Sequence, residues 1–160
     1  MIKEKVYLET SVISYLTARP SLDIVKLAKQ ELTRQWWEKN KSAYDFYISD
    51  PVLAEIRRGD AEAAQHRMSI VTELPTLDVN EEVVDLHERF FSGKILPNKA
   101  RADAMHIALA AVHGMTFLAT WNCKHINNAT LKRKISDVTV RAGYHEVFMA
   151  TPEELWRSIL

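Results

Sequence analysis

Apolar residues along this chain fall into two patterns, short compact runs and longer stretches with a helical repeat. Lys5-Val-Tyr-Leu-Glu9 is a short, mostly apolar run with β-branched and aromatic members, and it reads as a buried first strand. Thr10-Ser11 follows and is placed to cap a helix from Val12 to about Ala18, which Arg19-Pro20 ends because the residue before a proline is biased away from helix. From Leu22 to Lys39 the apolar positions Leu22, Val25, Ala28, Leu32 and Trp36 recur at helical spacing with charges between them, predicting an amphipathic helix. Tyr44 to Ser49 reads as a second strand. Asp50 is expected to cap the next helix, with Pro51 at its first position and Gly59 at its end.

The second half continues the alternation. A helix is expected from Asp60 to about Leu74, a short strand at Leu77-Asp78-Val79, and a helix capped by Asn80 and running to Phe91. Asn98 to His113 is rich in alanine and helical, with Gly114 as its C-terminal stop. Met115 to Thr120 reads as a strand, Asn127 or Asn128 as the cap of a helix to about Lys134, and Glu146 to Met149 as a last strand. Thr151-Pro-Glu-Glu154 has the form of a capping box opening a short C-terminal helix. Strands alternating with helices predict an α/β fold, with a mostly parallel central sheet flanked by helices on both faces. No internal repeat or linker divides the chain, so residues 1–160 are expected to form one domain.

Composition narrows the function classes. With a single cysteine, Cys123, no internal disulfide can form, and Cys123 is expected to be structural. Neither an apolar leader nor an apolar stretch of membrane-spanning length occurs in the sequence, so a cytoplasmic protein without a membrane is expected. Only four glycines are present, and no GxGxxG or GxxxxGK[ST] pattern occurs, which argues against a receiver-like or nucleotide-cradling domain. The formal net charge is zero, whereas nucleic-acid binders that work by bulk charge are usually basic. Charge is uneven, however: in residues 121–145 Lys124, Lys132, Arg133, Lys134 and Arg141 face Asp137 alone. That segment is equally a solvated helix face or a binding patch.

In an open parallel sheet, ligands sit beyond the carboxyl ends of the strands. Glu9 ends the first strand, Glu55 lies about a turn into the helix after the second, Asp103 lies in the first turns of the alanine-rich helix, and Asn122 follows the Met115–Thr120 strand. If they converge, three carboxylates repel one another, and a cation would relieve that repulsion. Hard oxygen donors suit Mg²⁺ or Mn²⁺, ions that bring phosphate and water together for phosphodiester hydrolysis. Each residue also has an ordinary explanation: Glu9 as a cap or loop residue, Glu55 as a solvated helix residue, Asp103 as the partner of Lys99 or Arg101. His106, one helical turn after Asp103, is either a hydrogen-bonded core histidine or a group that orients Asp103, meets RNA or moves a proton. Thr10, Ser11 and Thr120 either cap or orient carboxylates. Lys124 and His125 either serve the loop or meet phosphate. Trp36 reads as core, and an exposed Trp37 would mark a partner surface.

Four segments together resemble the PIN domain, and particularly the VapC-type toxins of toxin–antitoxin pairs. They are Val6-Tyr-Leu-Glu-Thr-Ser-Val-Ile-Ser-Tyr-Leu16, Ile48-Ser-Asp-Pro-Val-Leu-Ala-Glu-Ile56, Ala102-Asp-Ala-Met-His-Ile-Ala-Leu-Ala-Ala111 and Phe117-Leu-Ala-Thr-Trp-Asn122, in the family's order, with a family-like Thr151-Pro-Glu-Glu-Leu155 at the end. The resemblance covers nearly the whole chain. It implies a PIN-like fold, a metal-dependent ribonuclease with catalytic and metal-binding residues Glu9, Glu55, Asp103 and Asn122, an RNA substrate, a cognate antitoxin and a homodimer. Two positions depart from the family pattern: Glu9 stands where Asp is usual, moving the carboxylate by about 1.5 Å, and Asn122 stands where an acid is usual, removing one negative charge. Those departures leave open a second function, a PIN domain with weakened or lost chemistry that binds RNA or protein.

Overall fold

Strand β1, Lys5–Leu8, buries Val6, Tyr7 and Leu8 completely, and since successive side chains point to opposite faces, both faces of the sheet are covered at this strand. The chain, in a computed structural model that describes residues 2–158, continues through α1 (Thr10–Thr17), α2 (Ile24–Asn40), β2 (Asp45–Ser49), α3 (Asp50–Ile56), α4 (Ala61–Val71), β3 (Thr76–Leu77), α5 (Glu81–Ser92), a 3₁₀ turn (Asn98–Ala100), α6 (Arg101–Val112), β4 (Phe117–Ala119), α7 (Ala129–Arg141) and β5 (Phe148–Ala150). All strand pairs are parallel, in the order β3-β2-β1-β4-β5. Val6 lies opposite both Phe46 and Phe117. The α/β class and the parallel sheet are therefore as the sequence predicts. The order reverses between β1 and β4, so a crevice opens beyond their carboxyl ends, where Glu9 and the Thr120–Asn122 segment emerge.

Helix α6 joins β4 through a tight turn at Gly114, whose φ of +70° suits glycine. It therefore runs back across the sheet and brings its first turns, with Asp103, toward the same carboxyl edge. The long apolar members of α5 and α6, among them Leu86, Phe90, Ile107 and Leu109, are buried together against that face.

Several local expectations are corrected. The cap of α1 is Glu9, not Thr10 or Ser11: the Glu9 carboxylate accepts the Ser11 backbone N–H. The cap of α3 is Ser49, not Asp50, which lies in the first turn. The expected apolar stripe of α2 is mostly outside, with Leu22, Val25 and Ala28 exposed; the buried side is Gln30, Thr33, Trp36 and Asn40. Trp37 is partly buried against Phe46, ring centroids 4.9 Å apart, and so marks no open surface. Helix α7 extends to Arg141, past the expected end at Lys134. The Thr151 and Glu154 side chains make the reciprocal capping-box bonds, but residues 152–155 form a turn and not a helix. Cys123 is exposed on a loop, so it has no packing role.

Candidate functional site

Glu9 is the best satisfied of the expected site residues. Only 6% exposed, its carboxylate accepts from the Ser11 hydroxyl at 2.5 Å, the Ser11 N–H at 2.9 Å and the Thr120 hydroxyl at 2.6 Å. Charge-assisted bonds of this kind are what make a buried carboxylate tolerable. The two hydroxyls are themselves fixed: Ser11 Oγ accepts the Trp121 N–H and Thr120 Oγ1 accepts the Asn122 N–H. Ser11 and Thr120 thus orient the carboxylate, and the cap itself is Glu9. The same web welds the end of β1 to the segment leaving β4.

Asn122 folds that segment into a loop. Its Oδ1 accepts the Lys124 N–H at 3.3 Å and the His125 N–H at 3.2 Å, and its carbonyl accepts the Asn127 N–H. Both lone pairs of the amide oxygen are thereby engaged, so ligating a cation would require leaving this turn.

Glu55 meets a different partner. His106 Nε2 stands 2.7 Å from Glu55 Oε1, and His106 Nδ1 stands 2.6 Å from the Tyr7 hydroxyl, which is 2.7 Å from Ser49 Oγ. Partial burial works to raise the Glu55 pKa, but the hydrogen bond and electrostatics of His106, helped by Thr10 and Arg58, outweigh it and hold the carboxyl below the ordinary glutamate value. Thr10 Oγ1 is buried without a partner of hydrogen-bond geometry, so its help comes from nearness and not from a formed bond. Burial pushes the Tyr7 phenol well above its usual value; the Ser49 bond opposes this, and the charges of Glu9 and Glu55 add to it. Both carboxylates therefore act on the same buried hydroxyl.

Asp103 shares a helix face with His106, one turn earlier. Its carboxylate has no hydrogen-bond or ion-pair partner among the described residues; Arg101 pairs with Glu88 at 3.0 Å instead. The oxygen donors fit a hard divalent cation in kind, with Asp103 fully available and Glu9 and Glu55 keeping free lone pairs. As the side chains stand, no three His, Cys, Asp or Glu residues among those described come close enough together to share one ion. Tyr7 and Ser49 were missed from the sequence. The usable signal was a phenol in an otherwise apolar buried strand, since a buried tyrosine hydroxyl needs a partner.

No family model and no curated protein matches the sequence. Solved structures do match it. VapBC2 from Rickettsia felis, bound to a DNA fragment from its promoter, aligns at a TM-score of 0.57 and 17% identity over 92% of this chain and 98% of its own. The fold is that of the VapC PIN domain. VapC20 of Mycobacterium tuberculosis, a Sarcin-Ricin loop cleaving toxin, aligns at a TM-score of 0.53 and 18% identity over 89% of this chain and 98% of its own. At such identity the likeness is one of PIN architecture, so what this chain does must be argued from its own site.

Proposed function

We propose that this chain is a divalent-metal-dependent endoribonuclease, a cytoplasmic toxin restrained by a cognate antitoxin and acting as a homodimer. The observation that carries the reading is the place of its acids: Glu9, Glu55 and the Asp103 end of α6 lie at the carboxyl edge of a VapC-type PIN sheet, at the point where strand order reverses. Glu9, Glu55 and Asp103 would hold Mg²⁺ or Mn²⁺, with Asn122, whose amide oxygen is engaged in its own turn, assisting through water. Such an ion polarises a phosphoryl oxygen and lowers the pKa of water bound to it. The protein's part is to fix the acids: Ser11 and Thr120 hold Glu9, His106 holds Glu55, and Lys124 beside Asn122 steers the RNA backbone. The VapBC2 neighbour supports an antitoxin partner, and VapC20 supports RNA as substrate. Among the described residues no helix is long and apolar enough to cross a membrane.

Calorimetric titration with Mn²⁺, alongside cleavage of total RNA, tests this reading. Binding and cleavage are expected in the wild type, with both lost in Asp103→Ala. A metal-dependent ribonuclease that stays active after Asp103→Ala refutes the site. One set of observations favours the alternative, a PIN domain that binds RNA or protein without cleaving it: Glu9 and Asn122 already accept internal hydrogen bonds, and among the described residues no three ligands gather. The absence of Mn²⁺ binding at millimolar concentration would decide for that alternative.

A further inference from the structure

We propose that Tyr7 and His106 are positioning residues, a buried strut that holds the Glu55 carboxylate in its working orientation. The proposal rests on the ribonuclease reading for its purpose and on geometry for its substance. Four side chains from four elements form one hydrogen-bonded line: Ser49 at the end of β2, Tyr7 on β1, His106 on α6 and Glu55 on α3, with successive separations of 2.7, 2.6 and 2.7 Å. The inner three are sealed, at 0% exposure for Tyr7 and Ser49 and 2% for His106, whereas the Glu55 side chain is 31% exposed. The line thus begins in the core and ends on a carboxylate that reaches solvent.

Counting protons gives the line a direction. The Glu55 carboxylate only accepts, so a neutral His106 carries its proton on Nε2 and leaves Nδ1 as the acceptor, while Ser49 Oγ, accepting the Val52 N–H at 3.2 Å, still has its own hydrogen to give to Tyr7. Tyr7 then donates to His106 Nδ1, and His106 donates from Nε2 to Glu55. Every group is satisfied in this order, and the proton on Nε2 is assigned by the network. A core that needed only filling would be served by phenylalanine and leucine, without burying three polar groups. The strut instead removes the rotamer freedom of a long acidic side chain on a helix of seven residues, so that Glu55 need not be ordered when a ligand arrives.

Two measurements on the full chain test it. The first is long-range ¹H–¹⁵N NMR of His106 with no metal added. A proton on Nε2 is expected in the wild type, and a mixture of tautomers in Tyr7→Phe. A wild-type spectrum without a proton on Nε2, or one that Tyr7→Phe leaves unchanged, overturns the strut. The second is the Mn²⁺ dissociation constant of variants shown by circular dichroism to be folded. His106→Leu is expected to weaken binding about tenfold or more, and His106→Gln, which keeps an N–H near the Nε2 position, to restore most of the loss. Wild-type affinity in folded His106→Leu overturns the proposal, since a merely structural histidine would change melting temperature alone. If the wild type binds no Mn²⁺ while the Nε2 signature is present and responds to Tyr7→Phe, the ribonuclease reading fails and the strut stands.

Discussion

Glu9 combines two roles that a sequence presents as rivals. It caps α1 through the Ser11 N–H, and it is a buried acid at the edge of the sheet. Because its stability depends on hydroxyl donors, Thr120→Val is expected to leave both the carboxylate and the Asn122 N–H short of a partner. The cost should be about 1–3 kcal/mol by urea denaturation; an unchanged midpoint would mean that the Thr120 bond contributes nothing. Glu55 makes a pH prediction. Its folded pKa is lowered, so its stabilisation is fully present above the unfolded pKa and is lost as pH falls through the folded one. The window opens near about pH 4.3, the value for an unfolded glutamate, and extends below it. Denaturation midpoints of wild type and Glu55→Gln are expected to converge as pH falls through that window; a constant difference would count against the His106 contact.

At the scale of elements, α2 shows where pattern and packing part company. Its apolar members Ile24 and Val25 are exposed, as is Leu22 just before it, and its inner side uses Thr33 and Gln30 as polar anchors: Thr33 Oγ1 accepts the Trp121 indole N–H at 2.8 Å, and Gln30 bonds Ser21 and Arg19. Val25→Ala should therefore change stability by under about 0.5 kcal/mol, whereas Trp36→Ala should cost about 3–5 kcal/mol. Equal losses in the two variants, measured by thermal or urea melts, would contradict this assignment of faces. The existence of the strands was legible because most are compact apolar runs, and with it the position of Glu9 after β1 and of Asp103 in the first turn of α6, whereas Glu55 stands near the far end of α3. The end of α7 was not legible, because Ile135, Val138, Thr139 and Val140 are β-branched and favour strand locally, while burial of Ile135 and Thr139 decides for helix. Nor could the sequence show that Tyr7 meets His106, a contact between residues 99 apart whose side chains face each other only once the sheet and α6 are packed.

At the scale of the whole molecule, the end of the chain is tied to the site through α2. The Leu155 carbonyl accepts both the Trp36 indole N–H and the Tyr44 hydroxyl, and Asn40 Oδ1 accepts the Arg157 N–H. Trp36 is on the same helix as Thr33, which holds Trp121, the residue between Thr120 and Asn122. The C-terminal segment thus supports the helix that holds Trp121, just past β4. Leu155 is itself buried, so Leu155→Ala should cost about 2–5 kcal/mol through the cavity it leaves. Arg157→Ala, which loses an exposed ion pair to Glu4 and the Nε–H bond to the Tyr44 hydroxyl but keeps the backbone N–H, should cost about 1 kcal/mol. Ending the chain at Glu154 removes the carbonyl as well as the side chain and strands two buried donors, each worth about 1–3 kcal/mol when unsatisfied. Its melting temperature is expected to fall well below that of Leu155→Ala. Equal melting temperatures would show that the carbonyl adds nothing, and that the tail stabilises the molecule only by filling space.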